Sequence, residues 1–372
     1  MKWLQNGNLA KLVAFFVIAV VITCTVSFAA NGWQSFINNE PDSDKITTDN
    51  SSANNKVDEN KDGETGKDIP VVQPTQKYYH LITGLETDIE TSLKRPISIC
   101  YESSNPLYGI SSSYLTIEFP TEYGNTRFLS FTDEAKTLGK IGSLAPKRGY
   151  ISNLATYFGG VLLSYGTDDK FEYDYDDATN KLDFEMTSGY CYTEYNSFIY
   201  TNGDLVNAFL NNSSINQVLT ETVTLPYVFT TVGEKIIAAN KNATTISISF
   251  SENSTTQLSY SQSDGTYVFN KNSSDKVDLL NDKAMSYTNV FILYASSATY
   301  ETESDTQLIV DTNTSGTGIY ATDGGHMEIT WQRDTSGNLV FYNTDGEKLV
   351  INRGTSYIAY VKASSKASVK IS

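Results

Sequence analysis

The sequence predicts an α+β fold with a β-rich body, its N-terminal half a sheet with packed helices and its C-terminal half mainly antiparallel β. Three observations carry that expectation. Tyr is abundant, at 25 residues, and Thr, Ser and Val run through the same region; these types suit pleated, half-buried surfaces. Alternating apolar and polar segments recur at short intervals between Gly-, Asn- and Asp-containing turns. Apolar residues at helical spacing stand out in two segments of the first half.

Strands are expected at Arg95–Ser103, Tyr114–Phe119, Thr126–Thr132 and Val161–Gly166. Between them, Tyr150, Ile151, Leu154, Tyr157 and Phe158 follow a helical period, and Gly159–Gly160 ends it. Phe171–Met186 reads as a hairpin around Asp177–Asn180. Asn202–Ser214 combines polar starters with an apolar stripe at Leu205, Val206, Phe209 and Leu210, and reads as a helix. From Thr222 the texture is almost entirely β. Thr244–Ser251 and Thr256–Asn272 alternate, the second folding about Asp264–Gly265. Thr288–Ala295 reads as a central strand, and TQLIVDT, GIYATDGG, HMEITWQRD, NLVFYNT and EKLVINRG follow at the short spacing of an antiparallel meander or partly closed barrel.

The N-terminal region has a different character. Lys2 and Lys11 precede the apolar run Leu12–Ala30, and no basic residue follows until Lys45. About 20 apolar residues span a bilayer as a helix, and the Lys asymmetry places residues 1–11 inside and the rest outside. A retained signal anchor, cleavage after Ala29 and lipidation at Cys24 are the three readings. Residues 31–76 form an acidic linker poor in aromatic residues, which reads as a flexible tether. Within it Asp58, Asn60, Asp62 and Gly63 begin like a calcium loop, but Ile69 stands where the bidentate Glu is needed. The expected organisation is therefore 1–11 cytoplasmic, 12–30 a transmembrane or signal-anchor helix, 31–76 linker, 77–221 an N-terminal domain and 222–372 a C-terminal domain.

Charge and composition narrow the chemistry. A net charge of −16 lacks the Lys/Arg surplus that nucleic-acid binding needs. There are two histidines, His80 and His326, and no CxxC or HExxH pattern, so no metal ligand set, cofactor site or catalytic set is assigned. Cys100 and Cys191 are left either as one disulfide or as two buried thiols. Carboxylate pairs such as Glu118 with Glu122, or Asp174 with Asp176, are candidates for a hydrolase only if they converge on a cleft. Arg127 and Arg148 are candidate interaction residues, because a guanidinium presents a rigid fork to carboxylates and phosphates.

Over residues 80–362 the chain resembles the YerB-like bacterial lipoproteins, a family built from a paired N- and C-terminal domain of unknown function. The likeness is strongest in TNVFILYA, ATDGGHMEITWQRD and FYNTDGEKLVINRGTSYIAYV, with Gly316-Thr317-Gly318 at the GIYATDGG strand. In the first half the family pattern keeps Arg95-Pro96, Pro106, Gly109, Ser111, Gly124, Thr126, Arg127, Phe128, Gly142, Arg148 and Asn196. It departs at Glu102-Ser103, Ala145, Ser164-Tyr165 and Glu194-Tyr195, where the family carries Asp-Asn, Arg, a histidine turn and Pro-His. Thr23 also stands where a lipobox has a small Gly or Ala before the cysteine. The resemblance implies helices against a sheet in the first half, and it adds Asn196 to the interaction candidates. The expected function is that of a non-enzymatic, extracytoplasmic envelope accessory or interaction protein, membrane-attached through its N-terminal segment. Its expected partner is an envelope protein or wall polymer, with links to cell-wall synthesis. The alternatives are a hydrolase of wall glycan or peptide and a small-ligand binding or sensor module.

Overall fold

Asn289–Ala295 and Ser356–Lys362 have no polar face in sequence, and they lie side by side at the middle of the largest sheet, buried along almost their whole length. A strand covered on both faces reads as a continuous apolar run. In the computed structural model the described residues are 76–166, 181–183, 189–194, 197–236, 238, 241–275, 277–301 and 306–372. Residues from Gln73 onward form one compact unit.

The main sheet has eleven strands among the described residues. Its order is Lys241–Asn242, Gly325–Arg333, Ser315–Thr322, Asn289–Ala295, Ser356–Lys362, Leu115–Pro120, Thr126–Thr132, Ile97–Glu102, Val161–Ser164 and Lys181–Asp183, with Leu339–Tyr342 beside Gly325–Arg333. Both halves of the sequence thus contribute to one sheet. They join where Ser356–Lys362 pairs in parallel with Leu115–Pro120, Ile358 opposite Ile117. That strand is also parallel to Asn289–Ala295 on its other side, within a second half whose strand pairs are otherwise mainly antiparallel. The path has two ends and does not close as a barrel.

Alternation along each central strand sends side chains to two cores. Val290, Ile292, Tyr357 and Ala359 face one layer with Ile246, Leu258, Tyr267 and Phe269. Those last four belong to a five-stranded antiparallel sheet of Ser286–Tyr287, Thr266–Lys271, Ser254–Ser261, Thr245–Ser251 and Val369–Ile371. Phe291, Leu293, Ile358 and Tyr360 face the opposite layer, with Tyr150, Ile151 and Leu154 of the Gly149–Tyr157 helix. Phe291 stacks there on Tyr320 and Tyr227, with ring centroids 5.0 and 5.9 Å apart.

Helix is a minor component. The Gly149–Tyr157 helix follows its apolar period, and the Gly203–Asn212 helix starts where the Asn202 side chain accepts from the Leu205 N–H at 2.9 Å. The first half belongs to a β-rich body rather than forming a helix-covered sheet of its own. Among the described residues no helix is long and apolar enough to cross a membrane. The apolar run 12–30, the calcium-like loop and the hairpin turn at 177–180 lie outside the described residues.

Candidate functional site

The interior holds several charged groups, and each is met by partners from distant segments. Arg95 reaches Glu221 with Nη1 and Nη2 at 2.5 and 2.8 Å. Asp278, completely buried, accepts from the Gly109 and Ser111 N–H groups at 2.9 and 2.8 Å and from the Ser111 hydroxyl at 2.6 Å. Gly109 and Ser111, two positions of the family resemblance, therefore serve to receive Asp278.

The two arginines expected to contact a partner are used in the same way. Arg127 is 7 % exposed, and its Nε lies 3.2 Å from Glu102. Arg148 is 1 % exposed and holds Glu122 at 2.7 Å, while its Nη1 donates to the Leu308 carbonyl at 3.1 Å. The Glu122 carboxylate in turn accepts from the Leu308 N–H at 3.3 Å, so this ion pair grips one residue of the Thr306–Val310 strand from both sides. Burial raises the Glu122 pKa, but the hydrogen bond and charge of Arg148 outweigh it and leave the group below its ordinary value. Both guanidinium groups are buried in internal ion pairs. Both faces of the Thr126–Thr132 strand are buried. Asn196 and Cys24 lie outside the described residues. Cys100 and Cys191 are buried free thiols, which removes the disulfide alternative.

The hydrolase arrangements fare no better. Glu118 is locked by Lys271 at 2.6 Å and Glu122 by Arg148 at 2.7 Å, so each carboxylate of this pair is spent on its own internal ion pair. Asp174 and Asp176 are outside the described residues. His80 uses both ring nitrogens: Nδ1 accepts from the Thr83 N–H at 3.2 Å, which leaves Nε2 to donate to Asp133 at 3.2 Å. No nitrogen of that ring is left to take a proton from a nucleophile.

Among the described residues, two arginines are instead held by backbone carbonyls: Arg333 by those of Thr312 and Gly337 at 3.0 and 3.2 Å, and Arg353 beside a cleft. Arg353 lines a cleft of about 320 Å³ walled by the opening segment at Tyr79–Glu86, the loop at Val232–Lys235 and the Gly265 hairpin tip. Its Nε donates to the Thr230 carbonyl at 2.9 Å and its Nη1 to the Gly84 carbonyl. The guanidinium lies 4.8 Å from the Tyr79 ring centroid and 5.7 Å from that of Phe229. Among the described residues it has no carboxylate partner. Its neighbours complete the frame. Asn352 Oδ1 accepts from the Ile236 N–H at 2.7 Å and Nδ2 donates to the Ile236 carbonyl at 2.8 Å. Gly354 N–H donates to the Thr83 carbonyl at 2.9 Å. Gly354 has a φ of +143°, and a Cβ there would stand 2.1 Å from Thr288 Oγ1. Three consecutive residues thus pin both walls of the cleft. Sequence reasoning quoted this Asn-Arg-Gly run within the family-like segment but assigned it no role; a Gly beside a polar pair was the available signal.

A wider groove of about 490 Å³ lies against the Ser315–Thr322 and Gly325–Arg333 strands. There the Lys366 ammonium donates to Thr317 Oγ1 at 3.0 Å and sits 4.7 Å from the Tyr294 ring centroid.

The comparisons with known proteins agree with this architecture. The YerB protein from Bacillus subtilis has a crystal structure similar to this one, with a TM-score of 0.64 and 18% sequence identity over 80% of this chain and 100% of that chain. At that identity the likeness is one of fold. No curated protein matches. Residues 82–222 match the N-terminal domain, and residues 246–358 the C-terminal domain, of a protein family of unknown function, DUF3048. With both domains matched in order over most of the body, the chain belongs to the YerB-like DUF3048 family.

Proposed function

We propose that this chain is a non-enzymatic accessory protein of the bacterial cell envelope, attached to the membrane through residues 12–30, with its body outside. A link to cell-wall synthesis follows from that wall-side position. The Lys2 and Lys11 asymmetry and the acidic linker support the placement. The observation that carries the binding reading is Arg353, a guanidinium oriented by two carbonyls and two rings in an open cleft and left without a carboxylate. Binding sites present such preorganised charge to a ligand, and a fork geometry suits a planar anion. The small volume of the cleft also favours the second reading, a small-ligand binding or sensor module.

The test is photocrosslinking in intact cells from position 232, with Val232 replaced by a photoreactive residue at the cleft rim. Capture of an envelope protein or wall fragment is expected. Turnover of wall fragments by the purified chain, lost when one carboxylate is replaced, would overturn the non-enzymatic reading. Protection of the body from protease added to intact, wall-stripped cells would overturn the placement.

A further inference from the structure

We infer that the Arg353 cleft binds a small zwitterion through its carboxylate, an amino acid or the free C-terminus of a short peptide. The inference rests on the binding reading above and specifies its ligand.

The argument begins with the acidic background. The chain carries −16; Arg95, Arg127 and Arg148 each have a glutamate, and Arg333 donates to the Thr312 and Gly337 carbonyls away from this cleft. Within the cleft, Arg353 spends Nε and one Nη1 proton on backbone carbonyls. Those carbonyls fix its plane without neutralising it, and Nη2 has no hydrogen-bond partner among the described residues. The open Nη1–Nη2 edge matches a carboxylate held by two parallel N–H···O bonds.

The rest of the lining decides what is attached to that carboxylate. Glu86 is occupied by Lys77 at 2.7 Å, and Asp323 accepts from the Tyr260 hydroxyl at 2.7 Å. Glu234 is exposed and has no side-chain partner among the described residues, so it is available to an ammonium group. Glu86, Glu234 and Asp323 outnumber the lining cations Arg353 and Lys235, which disfavours a multiply charged anion such as phosphate. Leu85 and Val232, both about half exposed, offer apolar wall to a short side chain. A volume of about 320 Å³ sits at the lower end of small-ligand pockets, roughly 300–1,000 Å³.

The test is isothermal titration of the full chain in detergent with alanyl-alanine, its C-terminal amide, N-acetyl-alanyl-alanine and inorganic phosphate. The free acid should bind at least about tenfold tighter than the amide, because the amide cannot accept the bidentate pair. Arg353→Lys should lose about tenfold, since an ammonium keeps the charge but not the fork. Arg353 also braces both walls, so a second variant is needed. Glu234→Gln, at an exposed position, should weaken alanyl-alanine several-fold and leave the acetylated peptide unchanged. Equal binding of acid and amide, no dipeptide binding, or phosphate binding tighter than the dipeptide would each overturn the ligand assignment. In-cell capture from position 232 that persists in any of those cases keeps the accessory reading and removes only the ligand.

Discussion

Glu118 Oε1 and Lys271 Nζ are 2.6 Å apart, with side chains 0 and 7 % exposed, one from each half of the sequence. Glu118 points from the main sheet toward the five-stranded sheet, away from the core shared by Leu115, Ile117 and Phe119. It also accepts from Thr126 at 2.6 Å, Thr256 at 2.8 Å and the Tyr357 hydroxyl. This charge registers the two sheets, because sliding one against the other would leave a buried ion unpaired.

Removing one partner of that pair should therefore cost more than removing both. Lys271→Met is expected to destabilise by about 3–5 kcal/mol, the usual cost of a stranded buried charge. Adding Glu118→Leu should recover most of the loss. Urea denaturation midpoints at constant m-value measure both, and equal loss in the single and double variants would reject the account.

Acid sensitivity should run through the clamp on Leu308. Glu122 is held below its ordinary value of 4.5, so the unfolded chain takes up protons at a higher pH than the folded one. Its contribution is then complete above about 4.5 and disappears as pH falls through the lowered folded value. Glu221, lowered first by its Arg95 hydrogen bond, acts in the same direction. Glu122→Gln should be less stable than the parent at pH 7 and show a shallower fall below 4.5. An unchanged slope in pH-dependent denaturation would contradict this.

The body thiols should be insensitive to reductant. Cys100 and Cys191 are buried and unbridged, and burial raises the Cys191 thiol pKa, which lowers its thiolate fraction. Melting with and without dithiothreitol should agree, whereas loss of a native disulfide would typically cost about 2–5 kcal/mol. Labelling of the folded body should be slow at both cysteines, rising to completion in denaturant.

Gly354 should tolerate no side chain. A Cβ meets Thr288 Oγ1 in a backbone conformation that L residues rarely adopt. Gly354→Ala is expected to cost at least about 1–3 kcal/mol and to loosen the opening segment, because relieving the clash with Thr288 shifts the backbone N–H that donates to the Thr83 carbonyl. Hydrogen exchange at residues 78–86 should rise. Thr288→Ala should restore only part of the stability, since the φ strain remains.

The sequence by itself determined the local elements. The Thr126–Thr132 strand, the Asp264–Gly265 hairpin and the Asn202-capped helix stand where period and turn chemistry put them, because those signals come from residues a few positions apart. It also determined the family, through short runs in order and spacing. Only the tertiary structure decided which faces are buried. Alternation leaves the Thr116 and Glu118 face of Leu115–Pro120 and the Thr126, Ser130 and Thr132 face of Thr126–Thr132 polar, but the five-stranded sheet covers it and makes Glu118 an internal clamp; Arg127, on the opposite face, and Arg148, ahead of the Gly149–Tyr157 helix, are buried as well. The same holds for the cleft. Arg353 meets a carbonyl 269 residues away at Gly84, and a contact over that separation leaves no periodic trace. Side-chain chemistry names what a guanidinium can bind; the packing of distant segments around it decides whether a glutamate has already taken its place.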